Sequence, residues 1–596
     1  MKSPDILPRH TFHVPVMGIG FTLDSAIKVA HQGVTTTLSL ADDILIEKLR
    51  VFYCKKNKIP FTPIPDTTED YRARRITAWL NLVNQLVSAK FDKLKRQLAD
   101  DRAALKDYLS AFPLSPEHQL SVSDFVDSFR TKEEIAGWLA QHISCGSIDV
   151  NIMTKLDKSN YADGKKLPRE YNDAHAALRG FANSELQAGV VFSAGFNPNL
   201  FTYLETFPDF YPDSNGRLKK KIILKVSDYR SALVHGMFFA KKGLWISEYR
   251  IESGLYCGGH LFPTQGVLMG PILEEFKNKH AELFETLYPI YMRALNVKNI
   301  TANDCSVNIR ITAQGGVSTA AEHQFLMKQY RLSSVGWGTP FLLVPEVSNV
   351  DMYTLELLIN AGKQDVCVSD ISPLNVPFTN LKYNSKDLER DIKISNNMPG
   401  SLCPKKYLSF NTEFGETELC VASRDYQEQK VKQLQEMKLP PDQYEAAYEK
   451  IVVKSCICVG LGTSALLVNR MNTREEGKGV SICPSPNIAF FNKTISLQRM
   501  IDHIYGKASV LEDENVPHVF VRELEAYIDY LQGKIAETQS PTAKQTLYFW
   551  EFRENLMEGI RYYRNLFKEN NLTEALDDLK ALENRLISGI NPPHHE

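Results

Sequence analysis

The chain has 596 residues, a net charge of −2 at neutral pH and a sequence pI near 6.7. At 43% hydrophobic and 23% charged residues it has the composition of a globular protein with a full core. Its charge balance gives no reason to expect a nucleic-acid partner or a polybasic membrane contact, and the length exceeds one ordinary domain. The N-terminus lacks the apolar stretch of a secretory signal, and no window approaches the roughly 18 apolar residues of a spanning helix. Ten cysteines in a chain without an export signal point to reduced thiols or a metal site, and to the cytoplasm.

In chain order, Val14 to Met17 reads as a short strand, with Gly18-Ile-Gly20 freeing the backbone at its end. A helix follows from Asp24 or Ser25 to Gln32, stopped by Gly33, and Val34 to Leu40 is strand-like. Residues 44–140 break this rhythm: they are charged and helical in period, and Ile76 opens a stretch with apolar residues at i, i+3, i+4 and i+7. That stripe is expected to pack on the neighbouring domain or on a second copy in a homo-oligomer, not on a membrane, because its polar face mixes acids and bases. Strands return at 148–154, 189–194, 221–226, 244–253, 307–313 and 334–339, separated by helices at 170–183, 229–241, 271–287 and 319–330.

Eight strands joined by helices predict an α/β fold, a (β/α)8 TIM barrel with a helical insertion after the second strand. A doubly wound sheet is the alternative, but no Gly-x-Gly-x-x-Gly stands between a first strand and its helix. The expected divisions are 1–43 with 141–348 for the barrel, 44–140 for the insertion, 349–505 for a mixed, Cys-containing extension and 506–596 for a helical C-terminal region.

Two glycine turns end the last strands, Gln314-Gly315-Gly316-Val317 and Gly336-Trp337-Gly338-Thr339. Loops after the seventh and eighth strands of barrels commonly hold a phosphate, because glycines let backbone N–H groups approach its oxygens and a helix N-terminus adds favourable dipole. Ser318 and Thr319 would cap that helix or donate to the phosphate. The plainer reading is two chain reversals, but two such turns on adjacent strands favour the phosphate.

After the sixth strand comes Glu252-Ser-Gly-Leu-Tyr-Cys-Gly-Gly-His260. Gly258 and Gly259 permit close approach to a planar ring, and His260 can move protons near neutral pH; otherwise it is a loop histidine bonded to backbone. Lys225 near a strand end would stabilise negative charge on a reduced ring, or pair with Asp228. Asn151 inside the third strand would bond a ring edge or be a satisfied barrel polar group.

These residues resemble the nitronate monooxygenases, formerly called 2-nitropropane dioxygenases. The family's Pro-x-x-x-Gly-type segment is similar to Pro15-Val-Met17-Gly18, its Val-Asn pair to Val150-Asn151, and its Val-Val-Ser-Phe-x-Phe-Gly strand loosely to Val190–Gly195. Its Ala-Gly-Gly-His motif, which carries the catalytic histidine, matches Cys257-Gly258-Gly259-His260. Its Ala-Gly-Gly-Ile phosphate turn matches Gln314-Gly315-Gly316-Val317, and its Gly-Thr-Arg-Phe turn matches Gly338-Thr339-Pro340-Phe341.

The resemblance spans about residues 12–348 without the insertion. It implies an FMN-dependent oxidoreductase acting on a small substrate, with His260 as acid/base and oxygen reoxidising the flavin. Its phosphate would lie on Gly315, Gly316, Gly338 and Thr339, and its ring against Met17, Gly18, Asn151, Lys225, Gly258 and Gly259. The family's arginine is Pro340 here, which leaves the substrate open. Similar barrels serve as enoyl reductases of polyunsaturated-fatty-acid and polyketide synthases, and a scaffold that keeps the barrel without turnover is a further alternative.

In the extension, Cys403, Cys420, Cys456, Cys458 and Cys483 are candidate ligands for zinc or an iron–sulfur cluster, although no Cys-x-x-Cys spacing is present. Val459-Gly-Leu-Gly-Thr-Ser464 resembles a nucleotide-binding turn but reads better as a tight turn.

Overall fold

The computed structural model describes residues 9–113, 116–193, 195–300, 307–538 and 540–589, with the side chains of 116–121 left aside. Eight parallel strands close into a barrel: β1 Phe12–Val14, β2 Thr35–Ser39, β3 Ile148–Ile152, β4 Ala188–Phe192, β5 Lys220–Val226, β6 Ile246–Glu252, β7 Arg310–Gln314 and β8 Ser334–Gly336. Pairing follows chain order around the ring and closes where Phe12 meets Val335. β3 and β4 are buried at every residue, as strands covered on both faces must be; β4 is an unbroken apolar run, whereas β3 alternates Ile and Val with the buried Asp149 and Asn151. β1 starts and ends earlier than the predicted Val14–Met17. Pro15 has no N–H to donate to a ladder, so pairing stops at Val14 and Pro15–Gly18 becomes the loop above it.

The helical insertion joins β2 to β3. Helix α1 (Ser25–Val29) precedes β2; after it come α2 (Asp43–Lys56), α3 (Tyr71–Asp100), α4 (Arg102–Ser110), α5 (Pro116–Ser128) and α6 (Lys132–His142). The first half of α3 lies on the barrel, burying Ile76, Trp79, Leu80 and Val83. It crosses α7 (Asp173–Ala182) at Gly180, where a Cβ would stand 2.8 Å from the Ala73 carbonyl oxygen. At 30 residues α3 is about 45 Å long. Its far end leaves the barrel and joins α4–α6 in a second, separate core around Leu105, Leu109, Val126 and Trp138.

Between the later strands run α8 (Pro198–Tyr203), α9 (Tyr229–Ala240), α10 (Met269–Asn278), α11 (His280–Val297) and α12 (Ala320–Gln329). The helix predicted over 271–287 is two helices broken at Lys279.

The extension covers the C-terminal mouth of the barrel. It comprises α13 (Met352–Ile359), an antiparallel hairpin of β9 (Val366–Ser369) and β10 (Phe378–Leu381), α14 (Ser385–Ser395), α15 (Arg424–Glu436), α16 (Pro441–Val452), α17 (Ile457–Val468) and α18 (Leu497–Ile504). Long helices α19 (Val519–Ala536), α20 (Ala543–Glu569) and α21 (Thr573–Gly589) close the chain. One hydrophobic core runs from the barrel through α17 into α19–α21.

The Gly460-Leu461-Gly462 segment is neither a nucleotide loop nor a turn: it lies inside the buried helix α17. Its glycines let two backbones touch. The N–H groups of Ile19 and Gly20 donate to the Leu461 carbonyl at 3.2 and 2.9 Å, and a Cβ on Gly20 would stand 2.8 Å from the Gly462 oxygen. Buried charges fasten the same side. Asp42, which caps α2 through Leu45 N–H, also accepts from Lys405 and from the Tyr407 hydroxyl, while Asp43 takes Arg72 at 2.6 Å and Arg75 at 2.8 Å.

Among the described residues no single helix is long and apolar enough to cross a membrane. The bent pair α16 and α17 passes by composition, but Ile457–Leu466 are buried against the barrel.

Candidate functional site

The loops at the C-terminal ends of the strands and the extension above them enclose a cavity that, with its opening, spans about 1520 Å3. Every barrel residue proposed for cofactor or catalysis lines it: Met17, Gly18, Asn151, Lys225, Gly258, Gly259, His260, Gly315, Gly316, Gly338 and Thr339. Its floor is polar. Lys225 Nζ lies 3.2 Å from both oxygens of Glu252, and Gln314 Nε2 donates to Glu252 at 2.6 Å, so one chain of contacts crosses β5, β6 and β7. Lys225 thus pairs with Glu252 and not with Asp228, which caps α9 through Ser231 N–H. Asn151 is 5% exposed, and its Oδ1 is buried without a hydrogen-bond partner. Such an acceptor costs about 1–3 kcal/mol unless something in the cavity donates to it.

The Gly-Gly-His segment is held by the extension. Gly259 N–H donates to the Thr379 hydroxyl at 2.7 Å, Thr379 N–H returns to the Gly259 carbonyl at 2.9 Å, and Leu261 N–H donates to the Pro377 carbonyl at 2.8 Å. His260 therefore sits in an antiparallel bridge to Phe378, ring against ring at 5.0 Å. Its Nε2 is 2.7 Å from Ser372 Oγ, and the fully buried Ser372 hydroxyl also accepts Leu374 N–H at 3.2 Å. Burial, aided by the charge of Lys155, pulls the imidazole down to about 4, so it is neutral at physiological pH.

At the glycine turns, Gly316 has φ +70°, and a Cβ there would stand 2.0 Å from the Tyr256 ring. Only glycine satisfies both the backbone and the ring packed on it. Thr319 caps α12 in a reciprocal box with Glu322, whose carboxylate also takes Ser318 N–H at 2.7 Å. Ser318 donates to the Gly316 carbonyl and receives Arg522 Nη1 at 2.9 Å. Arg522, from α19, also reaches the Gly316 carbonyl at 2.9 Å and pairs with Glu322 inside the core. Among the described residues the N–H groups of Gly316, Val317, Gly338 and Thr339 make no hydrogen bond. An unpaired ring-edge acceptor at Asn151 and four unpaired donors on two adjacent turns fit a ligand with a hydrogen-bonding ring and a phosphate, as FMN has.

The extension also crosses the turns directly. Ser485 N–H donates to the Thr339 hydroxyl at 2.9 Å, Asn487 Nδ2 donates to the Val317 carbonyl at 3.0 Å, and Gly258 abuts the Cys483 carbonyl. Above the floor the walls are apolar, with Leu374, Phe378, Leu408, Ile457, Leu461 and Ile482 facing Met17 and Met153. Sequence reasoning missed Ser372, Ser485, Asn487 and Arg522. No local pattern marks them, because each meets its barrel partner across more than a hundred residues.

The expected metal centre is corrected. Cys403, Cys420, Cys456 and Cys458 lie in the extension, whereas Cys483 stands apart at the barrel mouth against Gly258. Among the described residues no group of three or more His, Cys, Asp or Glu side chains is arranged to hold a metal ion. Burial pushes the thiols of Cys456, Cys458 and Cys483 up.

His260 shares its neutral state with other buried imidazoles. Burial lowers His10 to about 3 and His31, His323 and His518 to about 4. A histidine depressed in the fold favours unfolding once the unfolded chain can take the proton, so stability is full above about 6.5 and falls as pH drops toward 4. Glu523, raised by burial to about 7, has the opposite slope from about 4.5 to 7, but it is one group against five. The urea midpoint at pH 5 should lie well below that at pH 7, with His10, His260, His323 and His518 contributing about 1–2 kcal/mol each and the more exposed His31 less. Equal midpoints would mean that the imidazoles are not desolvated.

No family model matches the chain, and no curated protein matches it. Among solved structures it is similar to the enoyl reductase domain of MlnA from the macrolactin biosynthesis cluster of Bacillus amyloliquefaciens, at 14% identity and a TM-score of 0.33, over 71% of this chain and 89% of that one. It is also similar to nitroalkane oxidase from Streptomyces ansochromogenes, at 11% identity and a TM-score of 0.34, over 85% of this chain and 96% of that one. Likeness at this level carries no argument about chemistry, which rests on the cavity.

Proposed function

We propose that the chain is an FMN-dependent oxidoreductase of the nitronate monooxygenase type, acting on a small nitronate or a comparable carbon acid. The observation that carries this reading is the convergence in one cavity of His260, the Lys225–Glu252 pair, the unpartnered Asn151 Oδ1 and the unpaired N–H groups of two glycine turns. Gly316, Val317, Gly338 and Thr339 would hold the phosphate through their N–H groups. Asn151 and Lys225 would bond the ring edges, and Met17, Gly18, Gly258 and Gly259 would border the ring. FMN, when bound, supplies reversible uptake of an electron pair, which no side chain here offers.

His260, with Nε2 engaged by Ser372, would take the α-proton of a carbon-acid substrate on Nδ1, for which no hydrogen bond is found among the described residues, and would orient a nitronate, which has already lost that proton. The apolar walls would keep water from that proton transfer. Molecular oxygen would be the final electron acceptor.

A second reading, reduction of an enoyl thioester, is favoured by the same apolar walls. Lys225 is the one cation among the cavity's lining residues, and it is already paired with Glu252, an arrangement that suits an apolar chain better than an anion. Oxygen consumption with an alkyl nitronate, measured beside NADPH oxidation with an enoyl thioester, separates the two. Turnover of neither by the flavin-loaded protein would return the chain to a scaffold reading.

A further inference from the structure

The N-terminal end of the barrel, opposite the glycine turns, opens on a second cavity. With its opening it spans about 1950 Å3, and it shares no lining residue with the upper one. The strand ends facing it carry mainly small or polar side chains, among them Thr35, Asp149, Gly189, Glu248 and Ser334, where barrels usually pack layers of Val, Ile and Leu. Gly189 leaves its space to Asp149: a Cβ there would stand 3.0 Å from Asp149 Oδ1.

The carboxylates at this depth already have donors. Asp149 accepts the Ser147 hydroxyl at 2.6 Å and Gly189 N–H at 3.0 Å. Glu248 accepts Arg250 Nε, Arg250 Nη2 and the Thr312 hydroxyl at 3.0, 2.7 and 2.8 Å. At the rim Lys219 pairs with Asp209 and Arg217 with Asp213. Three cations on the adjacent strands β5, β6 and β7 are not spent in this way, and all three line the cavity. Arg250 is 2% exposed and turns Nε and Nη2 to Glu248, which leaves Nη1 without a hydrogen bond among the described residues. Lys221 makes no ion pair among the described residues, and Arg310 Nη1 stands 3.6 Å from Glu248.

From this placement we infer that the lower cavity is a second binding site, for the oxyanion, phosphate or carboxylate, of a small metabolite. Arg250 Nη1 would donate from the depth of the cavity, with Lys221 and Arg310 reaching in from the strands on either side. A guanidinium held out of water with an idle donor is costly, and an oxyanion there supplies the missing acceptor. The cavity is far larger than one oxyanion, so the group would belong to a larger body, beside which Tyr211 and Trp245 line the wall.

The test uses the full chain, with inorganic phosphate and citrate as separate probes at an ionic strength matched with chloride. Lys221 lies at the end of the barrel away from the glycine turns, so its acetylation by acetic anhydride, read by mass spectrometry, reports this site with or without FMN. At least one probe should protect Lys221 in a saturable way while the exposed Lys55 and Lys568 label as before. Protection by phosphate alone would assign the group as a phosphate, and by citrate alone as a carboxylate. Arg310→Gln should raise the half-protecting concentration by about tenfold, and so should Arg250→Met/Glu248→Gln, which removes the deep donor without stranding a buried carboxylate. No protection by either probe, equal slowing at Lys55 and Lys568, or protection unchanged in both variants would each overturn the inference.

Discussion

Replacing His260 by Ala should lower turnover by about 10²- to 10⁴-fold while leaving the affinity for FMN unchanged. The imidazole faces the cavity from an edge pairing with the extension, and its removal deletes a proton acceptor without touching the glycine turns or Asn151. Because burial holds the wild-type ring near 4, turnover should be flat in His260 protonation from about pH 5 upward and fall as pH drops through 4. Ser372→Ala, which frees Nε2, should cost less than His260→Ala and move the acid limb of the profile. Wild-type turnover in His260→Ala would remove this residue from the chemistry, whereas loss of FMN from it would make its role structural.

Arg522→Ala should destabilise the chain by about 3–5 kcal/mol, read as a lower urea midpoint. Arg522 is buried with Glu322, and its removal leaves a carboxylate in the core with no cation. It also takes a donor from the Gly316 carbonyl and the Ser318 hydroxyl, so the phosphate turn should loosen and FMN bind more weakly. Removing both charges in Arg522→Met/Glu322→Gln should recover part of the stability, since the cost lies in the unpaired charge. A single variant as stable as the wild type would mean that water reaches Glu322 and the pair is not buried.

The barrel was legible because each strand advertises itself locally: a β-branched or apolar run closed by glycine, proline or a helix cap. The site's lower half was legible for the same reason, since Gly315, Gly316, Gly338 and the Gly258-Gly259-His260 run mark loops at strand ends. What escaped is long-range. For Lys225 the sequence offered Asp228, three residues on, as the alternative to a place beside a reduced ring, and Glu252, its partner across the strand pairing, was not considered. Gly460 and Gly462 were taken for a turn because a glycine placed for close helix packing has the same letter as one placed for a reversal. The five cysteines were read as a ligand set because proximity in sequence does not reveal that Cys483 folds onto the barrel mouth while the others stay in the extension.

The central claim is that the barrel mouth holds FMN through Asn151 and the two glycine turns. The direct measurement is the visible spectrum of the full chain, incubated with FMN and then desalted. Retention of about one flavin per chain, with its bands shifted from those of free FMN and the shift altered in Asn151→Ala, is the predicted result. A colourless protein that retains no added flavin would contradict it.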